Sequence, residues 1–335
     1  MAVSALDSRI FRNLFGTQEI RDVFTDKAYV KCLIEVEAAL ARAEAIVGQM
    51  QERKSPKFYL TLNLKRLTEI KERCLLVQFG GAVGTIASLG SDEMGLKVRE
   101  QLATELGLKN PDISWHVARD NIAEILNTLA LVGGTLGKIA LDIMIMSSNE
   151  FDEVSEPFVP HRGASSTMPQ KRNPISSEVI LAASKMLRVN ASLGLDALIT
   201  DFERASGPWH LEWVAVPDSF VTAVGALHQT NFVLRGLVVK TDSMKRNLHS
   251  TKGLIVGEAV MMDLAPCLGR QNAHDLVYEA CKSAIENNRT LLDVLQGTPA
   301  LDGIISSEKL ANLCDPLQYM GASQMMVDQL VQRAG

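Results

Sequence analysis

Aromatic side chains are scarce: Phe, Trp and Tyr together supply 5% of the 335 residues, and only three of them are Trp. That poverty disfavours a β-sandwich core, while the abundant Ala, Leu, Met, Glu and Lys favour helices. A basic surplus is also lacking, the formal net charge being −5. No broad positive surface is therefore expected for nucleic acid or an anionic membrane, and an anionic ligand must be held by a local site. The five cysteines, Cys32, Cys74, Cys267, Cys281 and Cys314, lie far apart and form no CxxC pair. This argues against zinc or a redox centre and for reduced, mostly buried thiols in a cytoplasmic protein. The opening MAVSALDSRIFRN lacks the apolar stretch of a secretory signal. The longest apolar run, Leu126 to Met146, carries Lys138 and Asp142 near its middle, which favours a buried helix over a membrane span.

What is present is helical periodicity over a chain with 47% hydrophobic residues, enough for a large core in two domains or one elongated one. Tyr29, Cys32, Leu33, Val36, Leu40, Ala43 and Val47 trace one face between a candidate N-cap, Asp26, and a stop at Gly48. A longer pattern runs from about Ser114 to Ser148, with a stripe through Ile122, Leu126, Leu129, Val132, Leu136, Ile139 and Ile143 and with Gly133, Gly134 and Gly137 keeping other faces small. Being apolar nearly all round, it belongs in the middle of a bundle. Further helical runs are expected at Ile175 to Ala197 and Phe220 to Val239, and a smaller helical appendage from Lys240 onward. The expectation is an all-α fold with boundaries at 1–57, 58–239 and 240–335.

Two segments admit alternatives. Gly80 to Gly90, GGAVGTIASLG, is glycine-rich but follows no strand and has no phosphate-loop Lys, so tight packing or a substrate-side turn competes with a nucleotide loop. In DFERASGPWHLEWVAVPDSF, Trp209 and Trp213 flank His210 and Glu212 and read on composition as packing anchors.

The stretch His161 to Glu178, HRGASSTMPQKRNPISSE, concentrates chemistry. Gly163 and Ala164 permit backbone freedom; Ser165, Ser166 and Thr167 supply hydroxyls; Lys171, Arg172 and Asn173 supply donors suited to a carboxylate or phosphate. Pro169 and Pro174 bracket the donors and keep a helix from absorbing them.

This string resembles the signature loop of the fumarase/aspartase superfamily, GSSxMPxKxNPxxxE, with Ala164 in place of the leading Gly. The forms SSTMP and KRNP resemble the branch holding adenylosuccinate lyases and 3-carboxy-cis,cis-muconate cycloisomerases, and Trp209 to Trp213 match the ERxxGxWHxEW segment of the cycloisomerases. The resemblance implies a long helical bundle with a small helical C-terminal domain. It further implies removal of a proton beside a carboxylate, without metal or organic cofactor. It assigns the base to Ser165 and carboxylate binding to Lys171 and Asn173, with Ser166, Thr167 and Met168 lining the loop. Glu178 would orient a catalytic His of another subunit. Arg119, in a WHVARDNIAE segment similar to the family's QRDRxAE, either reaches toward ligand or pairs with Asp120 or Glu124 on the surface.

The resemblance is interrupted between Gly48 and Phe58, where relatives carry a long block that includes two further signature segments, one holding the catalytic His. Neither segment occurs in the sequence. His116, His161, His210, His228, His249 and His274 all match other parts of the family. The expected bundle is thus incomplete and needs partner chains. The implied assembly is a homo-oligomer, a tetramer, or a mixed oligomer with a full-length relative, and the implied ligand is a small polycarboxylate such as 3-carboxy-cis,cis-muconate. An adenylosuccinate-lyase-like enzyme and a catalytically silent homologue with an oligomerisation role are the alternatives.

Overall fold

The computed structural model describes residues 56–159, 167–168, 171–204 and 206–334. The helix expected over Asp26 to Gly48 lies outside them. The described residues form helices α1 (Pro56–Cys74), α2 (Met94–Leu106), α3 (Asp120–Met146), α4 (Ile175–Asp196) and α5 (Trp209–Arg235), followed by α6 (Thr241–Leu248), α7 (Gly257–Leu268), α8 (Arg270–Glu286), α9 (Leu291–Gln296), α10 (Ser307–Leu313) and α11 (Ser323–Ala334). The two-residue strands β1 (Val154–Ser155) and β2 (Val238–Val239) pair antiparallel.

Helix α3 is the axis of the bundle. Leu126, Leu129, Val132, Leu136, Ile139 and Ile143, spaced by three or four residues, are all buried, as one face of a 3.6-residue period requires. Glycine sets the distance to α4. A Cβ on Gly133 would lie 2.5 Å from Leu187 Cδ1, one on Gly137 2.7 Å from Ser184 Oγ, and one on Gly194 2.5 Å from Leu126 Cδ1. These three contacts run in opposite directions along the two helices, so α3 and α4 are antiparallel and in near contact. Asn190 of α4 donates to Asp218 of α5, and Asn63 of α1 donates to Thr135 of α3 at 2.9 Å. One hydrophobic cluster joins these four helices, from Leu60 to Leu234. A second, from Val260 to Cys314, joins α7 to α10.

Three expectations change. The long pattern from Ser114 becomes helical only at Asp120; ahead of it the buried Trp115 indole donates to the Val77 carbonyl at 2.8 Å. Helix α5 starts at Trp209 rather than Phe220 and contains Pro217. Of the thiols expected to be mostly buried, Cys74 and Cys314 are buried, Cys281 is half-buried, Cys267 is exposed and Cys32 lies outside the described residues; burial pushes the Cys74 thiol up to about 12.

Among the described residues the bundle leaves apolar side chains exposed. Leu131, Leu141 and Ile145 on α3 and Val189 and Leu195 on α4 are exposed. A groove of about 740 Å³ runs between the two helices, lined by Leu131, Leu141, Leu181 and Leu195 and rimmed by Lys185 and Arg188. Lys138 and Asp142 form an i,i+4 ion pair on the same outer side of α3.

Candidate active site

The donor run is delivered by the start of α4. Lys171 is exposed, Asn173 half-buried, and Glu178 exposed in the first helical turn. The Ile175 amide donates to the Asn173 carbonyl at 2.9 Å and the Glu178 amide to the Pro174 carbonyl at 3.0 Å, so the three residues are carried on one short, hydrogen-bonded segment. Thr167 and Met168 are exposed just before it, and the Lys171 amide donates to the Met168 carbonyl at 3.1 Å. Neither Lys171 nor Glu178 makes a side-chain ion pair or hydrogen bond to another described residue. Ser165 and Ser166 lie outside the described residues.

What holds this segment was not visible in sequence. Pro174 occupies the N-cap and offers no side-chain acceptor, which leaves the first amides of α4 to find partners elsewhere. Glu156 supplies them: Oε2 accepts from the Ser176 amide at 3.1 Å, and Oε1 accepts from the Ser177 amide at 2.8 Å and the Ser177 hydroxyl at 2.7 Å. Two residues on, Phe158 lies under the Arg172 guanidinium, 4.3 Å from ring centroid to Cζ.

Arg119 is at the other end of the bundle. It is buried, and its Nε donates to Glu212 Oε1 at 2.8 Å while Nη2 pairs with Glu212 Oε2. The pairing with Asp120 or Glu124 on the surface is therefore corrected: the partner is a buried glutamate in the first turn of α5, and Glu124 pairs instead with Arg73 of α1. Because α3 and α4 are antiparallel, the start of α3 faces the end of α4. The 22 residues of α4 put roughly 33 Å between Arg119 and the Lys171 segment at 1.5 Å per residue. Within one chain the two cannot touch one small ligand.

Around Arg119 a second constellation gathers. Its Cζ lies 5.3 Å from the Trp115 ring centroid. Arg119 Nη1 and His116 Nδ1 are buried and have no hydrogen-bond partner among the described residues. Burial, and then the Arg204 and Arg119 cations, hold the His116 imidazole below its usual pKa. The glycine-rich turn packs here: Ser114 Oγ donates to the Gly84 carbonyl at 2.7 Å, and Arg204 reaches the Gly81 and Ala82 carbonyls at 3.3 and 3.4 Å. Gly81 and Gly84 have φ of +74° and +81°, which favours glycine. The turn thus directs carbonyls at donors, the opposite of a phosphate cradle's inward N–H groups. Trp209 is half-buried, whereas Trp213 is 60% exposed. The packing-anchor reading accordingly fails for Trp213, which meets the His210 ring edge-on at 4.5 Å.

Comparison with known proteins gives these ends a context. A family model described as "Lyase" matches residues 54–189, and one described as "Adenylosuccinate lyase C-terminus" matches residues 253–330. The chain is 45% identical over 269 residues to trans-aconitate decarboxylase 1 of Mycosarcoma maydis, covering 80% of this chain and 54% of the relative. It is 42% identical over 270 residues to 3-carboxy-cis,cis-muconate cycloisomerase of Pseudomonas aeruginosa, covering 81% of this chain and 58% of the relative. It thus spans little more than half the length of these curated relatives. The crystal structure of a fumarate lyase from Mesorhizobium sp. BNC1 superposes with a TM-score of 0.84 at 38% identity, covering 98% of this chain and 80% of that one. The all-α bundle, the signature run ending at Glu178 and these matches agree: the chain belongs to the fumarase/aspartase lyase superfamily.

Proposed function

We propose that the protein is a cycloisomerase-like lyase acting on an unsaturated polycarboxylate such as 3-carboxy-cis,cis-muconate, with no metal or organic cofactor. The observation that carries this reading is the presentation of Lys171, Asn173 and Glu178 on one anchored segment, with the Lys171 and Glu178 charges left unsatisfied by other described residues. In the addition direction, a nucleophilic group of the substrate bonds to an alkene carbon and the π pair moves to the carbon beside a carboxylate. The resulting aci-carboxylate then takes a proton there. Ser165 is the proton donor in this direction and the base in the reverse one. Lys171 and Asn173 hold a carboxylate, Lys171 offsets the added negative charge, and Ser166, Thr167 and Met168 line the site. Glu178 orients a histidine brought by another chain. Arg119 serves a different chain's site, and the assembly this reading requires is a homo-oligomer, a tetramer, or a mixed oligomer with a full-length relative.

A second reading is favoured by the 45% identity to a trans-aconitate decarboxylase. Trans-aconitate is likewise an unsaturated tricarboxylate, and loss of CO2 leaves an electron pair that the same cation can stabilise. The test is an absorbance assay with 3-carboxy-cis,cis-muconate and with trans-aconitate on the purified protein, beside Ser165→Ala and a size-exclusion profile. Turnover of the muconate that is lost in Ser165→Ala supports the first reading. Release of CO2 from trans-aconitate alone supports the second. A well-folded oligomer inert to both would leave an adenylosuccinate-lyase-like enzyme or a silent homologue, and thermal stabilisation by a purine nucleotide would separate the two.

A further inference from the structure

We propose that Glu156 is a positioning residue for the Lys171 to Glu178 segment: its carboxylate sets the direction in which the start of α4 presents Lys171, Asn173 and Glu178. The ligand part of this inference rests on the lyase reading; the anchoring part does not. Glu156 is fixed before it touches α4. Val154, 1% exposed, seats β1 in the bundle core, and β1 pairs with β2 through Val154–Val239 and Ser155–Val238. The Lys240 amide donates to the Glu153 carbonyl at 2.8 Å, and the Lys240 ammonium pairs with Asp152. Pro157 presses on Gly236, where a Cβ would come within 2.8 Å of the Pro157 Cβ. The carboxylate is therefore referenced to the far end of α5. Each of its oxygens takes a different amide of α4, which fixes both the position and the rotation of that first turn. Ser176 and Ser177 are fully buried, so no water can replace the lost acceptor without opening the turn.

The test uses Glu156→Gln, Glu156→Ala and Ser177→Ala, read by residue-resolved hydrogen exchange and by calorimetric binding of 3-carboxy-cis,cis-muconate. Glutamine keeps one oxygen and turns an NH2 toward the other amide. With Oε1 retained, Glu156→Gln should speed exchange of the Ser176 amide by about tenfold or more while the Ser177 amide stays protected. Glu156→Ala should release both by about 10- to 100-fold, and Ser177→Ala should release neither, since both amide bonds remain. Binding of the muconate should weaken by about tenfold in Glu156→Ala and be partly restored in Glu156→Gln. Unchanged exchange in Glu156→Ala would overturn the anchoring. Faster exchange with unchanged muconate affinity would reduce Glu156 to a helix cap and overturn the positioning role. If the wild-type chain does not bind the muconate, the lyase reading fails, and the exchange data still decide whether Glu156 anchors the segment.

Discussion

Replacing Glu212 by alanine should be among the most damaging single changes in the bundle. Arg119 and Glu212 are each 5% exposed. They join the start of α3 to the start of α5 across 93 residues of sequence. Truncating the glutamate leaves a guanidinium in the interior with Nε and Nη2 newly unpaired, beside an Nη1 already without a partner among the described residues. Breaking one side of a buried pair costs about 3–5 kcal/mol, a large share of a stability of about 5–15 kcal/mol. With a urea dependence of about 2–3 kcal/mol per M, the unfolding midpoint should fall by about 1–2 M. The paired replacement Arg119→Met with Glu212→Leu removes both charges and should recover most of that loss, because the desolvation cost disappears with the attraction. The assay is urea unfolding of the wild type, both single variants and the double, arranged as a cycle. A loss below about 1 kcal/mol in Glu212→Ala would refute the reasoning, since that is the size expected of a solvated pair.

Gly133→Val should destabilise by at least about 1–3 kcal/mol, because even a Cβ would sit 2.5 Å from Leu187 Cδ1. Adding Leu187→Ala should relieve part of the clash, and additive losses in thermal unfolding would contradict the close approach. His116 gives a pH dependence of definite sign. Its pKa lies below the ordinary 6.5, through burial first and then Arg204 and Arg119, so the unfolded chain binds the proton more readily. Protonation then opposes folding, and its stability contribution is complete above about pH 6.5 and declines as pH falls through the unfolded pKa. The thermal midpoint of His116→Gln should drop less than that of the wild type between pH 7.5 and 5.5, and parallel curves would remove His116 as the source.

Helices α3 and α4 were readable because their periodicity and their packing say the same thing: the stripe through Leu126, Leu129 and Val132 is the face that is buried. The start of α5 was not, because Pro217 looks like a terminator. The structure tolerates it inside the helix because Pro217 lies on the exposed side, where the carbonyl of Trp213 that loses its N–H partner can face water. The Lys171 to Glu178 donors were equally readable, being contiguous. Glu156 and the Arg119–Glu212 pair were not, since their partners lie 20 and 93 residues away and no local spacing encodes them. These distant bonds also divide the chemistry. The segment held by Glu156 ends the bundle with the Lys171 cation and the Glu178 carboxylate unpaired among the described residues, while at the opposite end the buried Arg119 Nη1 and His116 Nδ1 atoms have no hydrogen-bond partner among them. A ligand of a few carbon atoms is far shorter than α4 and meets one end of a given chain at a time. If both ends take part in one site, two chains must bring them together, and turnover should fall on dilution as the assembly separates, in step with its dissociation and independently of unfolding.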